Sequence, residues 1–161
     1  MPPELRPLVI GVGNALRSDD GAGPALVESL KRTHHARAGL VLCAGDGASL
    51  MALWEGQHCV IVVDAVCSGA PAGTVHRFEA HQERIPSRFF NYSTHAFSLA
   101  EAVEMSRTLG TLPRRLVLFG IEGENFASGP SLSLSVQRAV RRLAQRLPRE
   151  LDQLCASEST P

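Results

Sequence analysis

The segment His58–Val66 reads HCVIVVDAV, and it restricts the fold more than any other stretch of the chain. A continuous run of β-branched residues, without the alternation of a half-wet strand, predicts a strand covered on both of its faces. Helices supply such covers when the neighbouring strands are parallel. The remaining sequence alternates accordingly. An apolar run, Leu8–Val12, carries Gly11 and leads to Gly13, a polar stretch and the helical pattern Pro24–Lys31, with Ala25, Leu26 and Leu30 on one face. A strand over Leu40–Ala44, a turn over Gly45–Ala48 and a brief helix around Leu50–Trp54 follow. After HCVIVVDAV comes the turn-rich CSGAPAG, Cys67–Gly73, and then a strand, Thr74–Glu79, which His76 and Arg77 assign to the margin of the sheet. A polar loop through Pro86, Ser87 and Asn91 reaches Ser98, whose spacing to Glu101 makes a capping box for a helix over Leu99–Leu109. Leu116–Ile121 is the last strand. Ser135–Leu147 is the last helix, with Val136, Val140, Leu143, Ala144 and Leu147 on its apolar side and Arg138, Arg141, Arg142 and Arg146 on a solvated one. These elements predict an α/β fold, a three-layer α/β/α sandwich around a mostly parallel five-stranded sheet.

The chain of 161 residues suits one domain, with a core over residues 8–147 and a partly disordered tail over 148–161 ending in CASESTP. Sixteen Lys and Arg balance sixteen Asp and Glu, so no overall field draws in nucleic acid or an anionic membrane. The opening MPPELRP lacks the pattern of a signal peptide, and no apolar stretch approaches a membrane span, so the expected location is the cytoplasm. Cys43, Cys59, Cys67 and Cys155 show no CxxC spacing and indicate neither a zinc ribbon nor a disulfide framework.

In a doubly wound sheet, ligands bind outside the carboxyl ends of the strands. The loops after Gly11, Asp64 and Gly120 therefore hold the candidate chemistry. GVGNALRSDDGAG, Gly11–Gly23, invites a dinucleotide reading but fails it, because Leu16 stands where the third glycine belongs and Asp19 and Asp20 would repel a pyrophosphate. Ser18 or Asp19 can cap the following helix, with Gly21 and Gly23 allowing close packing, yet two adjacent carboxylates exceed what one cap requires. Asp64 is either a turn-former bonded to the amides ahead of it or a site residue. If strands one and three are neighbours, Asp64 approaches Asp20, and two buried carboxylates need a cation or a shared proton. His95 reads as an ordinary histidine beside a helix start, or as a neutral imidazole, kept so by the helix dipole, with a lone pair for a metal. Asp20, Asp64 and His95 would make a set for a divalent ion such as nickel or zinc with positions left open. Cys67 could be drawn with His95 as nucleophile and base, but nothing in the sequence lowers its thiol pKa. Glu122 and Glu124 can line the same crevice or stand as solvated loop carboxylates.

Together these residues resemble the hydrogenase maturation protease family. GVGNALRSDDGAG is similar to its N-terminal signature, which places Asp20 at the first metal-contacting position. VIVVDAV is similar to its central strand, with the second acidic ligand at Asp64, and STHAFSLAEAV, Ser93–Val103, to the segment bearing the histidine ligand, at His95. LFGIEGENF is similar to its final-strand motif, so the likeness runs from about Leu8 to Leu147. Two departures are GDGA at Gly45–Ala48, where relatives carry Asp-Gly-Gly-Thr, and Gly123 in place of a proline.

The resemblance implies a twisted sheet of the phosphorylase/hydrolase-like type and an endopeptidase that trims the C-terminus of a nickel-iron hydrogenase large-subunit precursor once nickel is inserted. It implies Asp20 and Asp64 as catalytic residues, Asp20, Asp64 and His95 as contacts to substrate-borne nickel, and Asn14, Asp19 and Glu122 as substrate-binding residues. Water is activated either by Asp20 or Asp64 as general base or by the nickel itself. A monomer is the simplest expectation. Its rival is a non-catalytic nickel-binding chaperone using the same three residues. A nucleoside-type hydrolase or phosphorylase would need a basic phosphate pocket, and the sequence offers none.

Overall fold

The computed structural model describes residues 6–33, 37–89 and 97–156. Five strands, β1 (Leu8–Val12), β2 (Gly39–Cys43), β3 (Cys59–Val66), β4 (Val75–Glu79) and β5 (Arg115–Glu122), form one sheet in the order β2-β1-β3-β5-β4. All pairings are parallel except that of β4, which runs antiparallel on the outer side of β5. The three-layer arrangement expected from the sequence is therefore present, with β4 at the edge where His76 and Arg77 placed it.

Alternation along β3 divides the interior in two. Cys59, Ile61, Val63 and Ala65 join the core under helices α1 (Ala22–Thr33) and α4 (Leu134–Ala156). Val60, Val62 and Val66 join the opposite core under α2 (Gly47–Trp54) and α3 (Leu99–Leu109). Each of the four residues Val60–Val63 is 0% exposed, and full burial of a side chain this size stabilises the fold by about 1.5–3 kcal/mol. Trp54, also 0% exposed, donates its indole N–H to the Ser106 hydroxyl at 3.0 Å and so pins α2 to α3.

α3 begins as the Ser98–Glu101 spacing predicts: the Glu101 carboxylate accepts from both the backbone N–H and the hydroxyl of Ser98. α2 starts earlier than Leu50, because Asp46 accepts from the Ser49 N–H at 2.8 Å and caps the helix ahead of Gly47. The expected end of the last helix is wrong. α4 continues through Pro148 to Ala156, so residues 148–156 are not a frayed tail. Leu151 and Leu154 bury themselves in the α1 and α4 core. Glu150 accepts from Arg146 one turn earlier at 2.7 Å and from Arg77 of β4 at 3.2 Å, which carries the helix across the proline. Arg146 also lies over the Phe119 ring at 5.5 Å, so one member of the arginine row is a packing residue. None of the described helices is long and apolar enough to cross a membrane.

Candidate active site

The carboxyl ends of β1 and β3 lie side by side, with Gly11 paired to Val63. Asp64 therefore stands one residue beyond the last position paired with β1, still paired to Gly120 of β5, and is half-buried. Alternation with Val62 and Val66 directs it to the α2 and α3 side of the sheet.

Asp20 reaches this rim because of two glycines. A Cβ on Gly23 would stand 2.4 Å from the Val12 carbonyl oxygen and 2.5 Å from that of Val63, so only glycine lets the start of α1 sit flush on both strands. Gly13 has φ +134°, and a Cβ there would meet the Asp20 carbonyl oxygen at 2.0 Å. The chain leaves β1, turns at Gly13 and returns as a 3₁₀ turn, Ser18–Gly21, that delivers Asp20 back beside the strand it left. Asp20 Oδ2 accepts from the Asn14 N–H at 2.9 Å, and Asn14 Oδ1 accepts from the Leu16 N–H at 2.9 Å.

Asp64 feels the charge of Asp20. Burial raises the Asp64 pKa well above the ordinary carboxylate range, the Asp20 charge raises it further, and one backbone bond from Ala65 works against both. At the end of β2, burial raises the Cys43 thiol, a Gly45 N–H opposes this, and the charges of Asp46 and Asp64 push upward again. Cys43 is thus held neutral. Cys67 is exposed just past β3.

His95 lies outside the described residues. The nearest described residue after it, Phe97, packs its ring against Gly47 so closely that a Cβ there would lie 2.4 Å from it, and its carbonyl accepts from the Gly47 N–H at 2.9 Å. The chain following His95 is thereby anchored at the start of α2, on the side of the sheet towards which Asp64 points. Among the described residues no three His, Cys, Asp or Glu side chains gather closely enough to hold an ion.

Three expected substrate contacts separate into two kinds. Asn14 is exposed beside Asp20 and remains open to a bound molecule. Asp19 and Glu122 do not, since they are 0% and 1% exposed. Asp19 Oδ1 accepts from the Ser133 N–H at 2.7 Å, and its Oδ2 from Glu124 N–H, Asn125 N–H and the Ser133 hydroxyl at 2.9, 3.0 and 3.1 Å. Glu122 Oε1 accepts from the N–H groups of Ser68 and Gly69 at 2.6 and 3.0 Å; its Oε2 accepts from the Ser68 hydroxyl at 2.8 Å and lies 3.1 Å from His76 Nε2. Both carboxylates brace loops from within and present no free oxygen to a docked peptide. Glu124 is exposed. Ser68, His76 and Ser133 escaped the sequence reading because their partners lie 46 to 114 residues away, beyond any local pattern.

Comparison with known proteins places this rim in context. The family model described as hydrogenase maturation protease matches residues 24–150, more than half of the chain and inclusive of Asp64. The hydrogenase expression/formation protein HupD of Thiocapsa roseopersicina is 33% identical over 125 residues, covering 74% of this chain and 54% of that protein, so the chain spans about half of that relative's length. The hydrogenase 2 maturation protease of Escherichia coli K12 is 29% identical over 140 residues, 84% of each. Among solved structures, the E. coli hydrogenase maturating endopeptidase HybD has the same fold, with a TM-score of 0.75 at 24% identity over 92% of this chain and 93% of that one. The maturation protease HycI of Thermococcus kodakarensis is similar at a TM-score of 0.66 and 21% identity, with 92% and 93% covered. On the extent of the family match and of these likenesses, the chain belongs to the hydrogenase maturation protease family.

Proposed function

We propose that this protein is an endopeptidase that removes the C-terminal extension of a nickel-iron hydrogenase large-subunit precursor, and that it acts only on precursor already carrying nickel. One observation supports this above the others: Asp20 and Asp64 converge at the rim of the sheet, and the Asp20 charge raises the cost of ionising Asp64. A divalent ion offsets that cost, and here it would arrive with the substrate. His95, the histidine position that the family likeness gives, would be the nitrogen ligand completing the set with Asp20 and Asp64.

In this scheme the ion remains substrate, held by the precursor and tested by the three side chains. Empty precursor leaves the acid pair uncompensated and binds poorly; loaded precursor is gripped and brings its scissile bond to the rim. The carboxylates of Asp20 and Asp64 supply the base. Water adds to the scissile carbonyl carbon as its proton passes to a carboxylate, and the proton is returned to the amine nitrogen as the C–N bond breaks.

Incubation with nickel-loaded and nickel-free precursor, followed by intact-mass measurement, tests the proposal. A shortened large subunit is expected from the loaded sample alone, and its loss with Asp20→Asn or His95→Ala in folded protein. Equal trimming of both precursors refutes the nickel check. Tight binding with unchanged mass refutes the protease in favour of a nickel-binding chaperone.

A further inference from the structure

We infer that Asp19 is the positioning residue for Asp20, acting through the loop that follows β5, an inference that rests on the role given to Asp20 above. The turn carrying Asp20 has few bonds of its own, chiefly the Asp20 N–H to the Arg17 carbonyl at 3.1 Å. It is a 3₁₀ turn of only four residues, its N-cap Arg17 makes no capping side-chain bond, and it is entered through Ser18 at φ +51°, in the left-handed region that residues with a side chain seldom occupy. Most of its further bonds come from the far side of the sequence.

Ser18 donates its N–H to the Gly129 carbonyl and its hydroxyl to that of Ala127, both at 2.8 Å. The Asp19 N–H donates to the Asn125 carbonyl at 2.9 Å, and the Gly129 N–H donates to the Leu16 carbonyl at 2.9 Å. Into this seam the Asp19 side chain projects with no water contact, and its four accepted bonds all originate between Glu124 and Ser133. A helix cap would have bonded within its own turn; Asp19 bonds across 105 to 114 residues instead.

Asp20 is consequently suspended between two anchors. Upstream, its Oδ2 is fixed by the Asn14 N–H, and its carbonyl abuts Gly13. On the other side, one residue earlier in sequence, Asp19 clamps the turn to the loop after β5. Slack at Asp19 rotates the peptide from which the Asp20 side chain springs, and the aim of a metal-gripping carboxylate tolerates little rotation. A residue important only for folding would lower the fraction of active molecules. A positioning residue lowers the discrimination between loaded and empty precursor in every molecule that remains folded.

The measured quantity is therefore the ratio of dissociation constants for nickel-free and nickel-loaded precursor, which the folded fraction does not change. It is determined for the full chain, at a temperature where circular dichroism shows each variant folded. Asp19→Asn should reduce the ratio by ~10-fold or more, the range typical of lost supporting contacts, and Ser133→Ala, which removes one of the four bonds and is the gentler variant, should reduce it measurably but by less. Ser133→Thr keeps the hydroxyl and should retain the wild-type ratio. Asp20→Asn separates the two readings. If it abolishes discrimination while folded Asp19→Asn and Ser133→Ala keep the wild-type ratio, positioning by Asp19 is overturned and the role of Asp20 stands. If Asp20→Asn itself keeps the ratio, the role of Asp20 falls and this inference with it.

Discussion

Removing the Glu122 carboxylate in two ways separates the loss of charge from the loss of acceptors. Its two oxygens serve Ser68 and Gly69 N–H groups on one side and the Ser68 hydroxyl and His76 on the other. In Glu122→Gln the amide oxygen can keep the two N–H donors, while the amide nitrogen faces a hydroxyl that can turn and an imidazole that can change tautomer. No group is left unpaired, and only charge assistance is lost, a cost of about 1 kcal/mol. In Glu122→Ala all four partners lose their acceptor around a site that is 1% exposed. Gly69 is exposed and recovers water, so the cost is about 3 kcal/mol rather than the full sum. The two variants should differ by roughly 2 kcal/mol, or about 4–8 °C in Tm for a domain of this size, by thermal or urea unfolding at pH 7. The pH dependence adds a check. Burial pushes the Glu122 carboxyl up, but bonds from Ser68, His76 and Gly69 overcome this and leave it below the ordinary value. A depressed carboxylate contributes stability that is present above the unfolded-state pKa and lost as pH falls through the folded one. The gap between wild type and Glu122→Gln should therefore narrow below about pH 4.5. Equal costs for Gln and Ala would refute the assignment of the four partners.

Asp64→Asn should do the opposite to stability. Its carboxyl is raised by burial and by Asp20, so the wild type loses stability as pH climbs from the unfolded value to the folded one. The variant should melt a few degrees higher at pH 7 and level with wild type near pH 3, while cleaving nothing; a lower melting point at pH 7 would contradict the crowding of the two acids. Gly23→Ala puts a methyl 2.4–2.5 Å from two carbonyl oxygens that belong to the sheet itself. It should cost about 3 kcal/mol or more and abolish cleavage even in the molecules that fold, as unfolding curves and single-turnover assays on the same sample would show. Pro148→Ala restores a backbone donor inside α4 and should stabilise by about 1–3 kcal/mol in urea unfolding, discounted for the packing of Pro148 beside Leu30 and Leu151.

Sequence patterns fixed by neighbours close along the chain were readable; those completed by distant partners were not. HCVIVVDAV declared a doubly covered strand, and the rim position of Asp64 followed from it. The Ser98–Glu101 spacing declared the start of α3 to the residue. The continuation of the last helix past Pro148 was not readable, because a proline ordinarily ends a helix and one of the two ion pairs of Glu150 reaches β4, more than seventy residues upstream. The surroundings of Asp19 and Glu122 were hidden for a related reason. A carboxylate in the loop after a strand, or at the strand's end, looks the same in sequence whether it is open or turned inward, and only the donors from Ser133, Ser68 and His76 show that these two are turned inward. His95 rests on the family resemblance, since it falls outside the described residues.

The glycines at positions 13 and 23 bear on more than packing. Because main-chain atoms, rather than side-chain rotamers, press the first helix against the sheet, the gap between the acid pair, across which the proposed scheme shares an ion, is a property of the scaffold. Altering the ion that this gap accepts would then require reshaping the strand-to-helix passage itself, so selectivity and architecture would be inherited together.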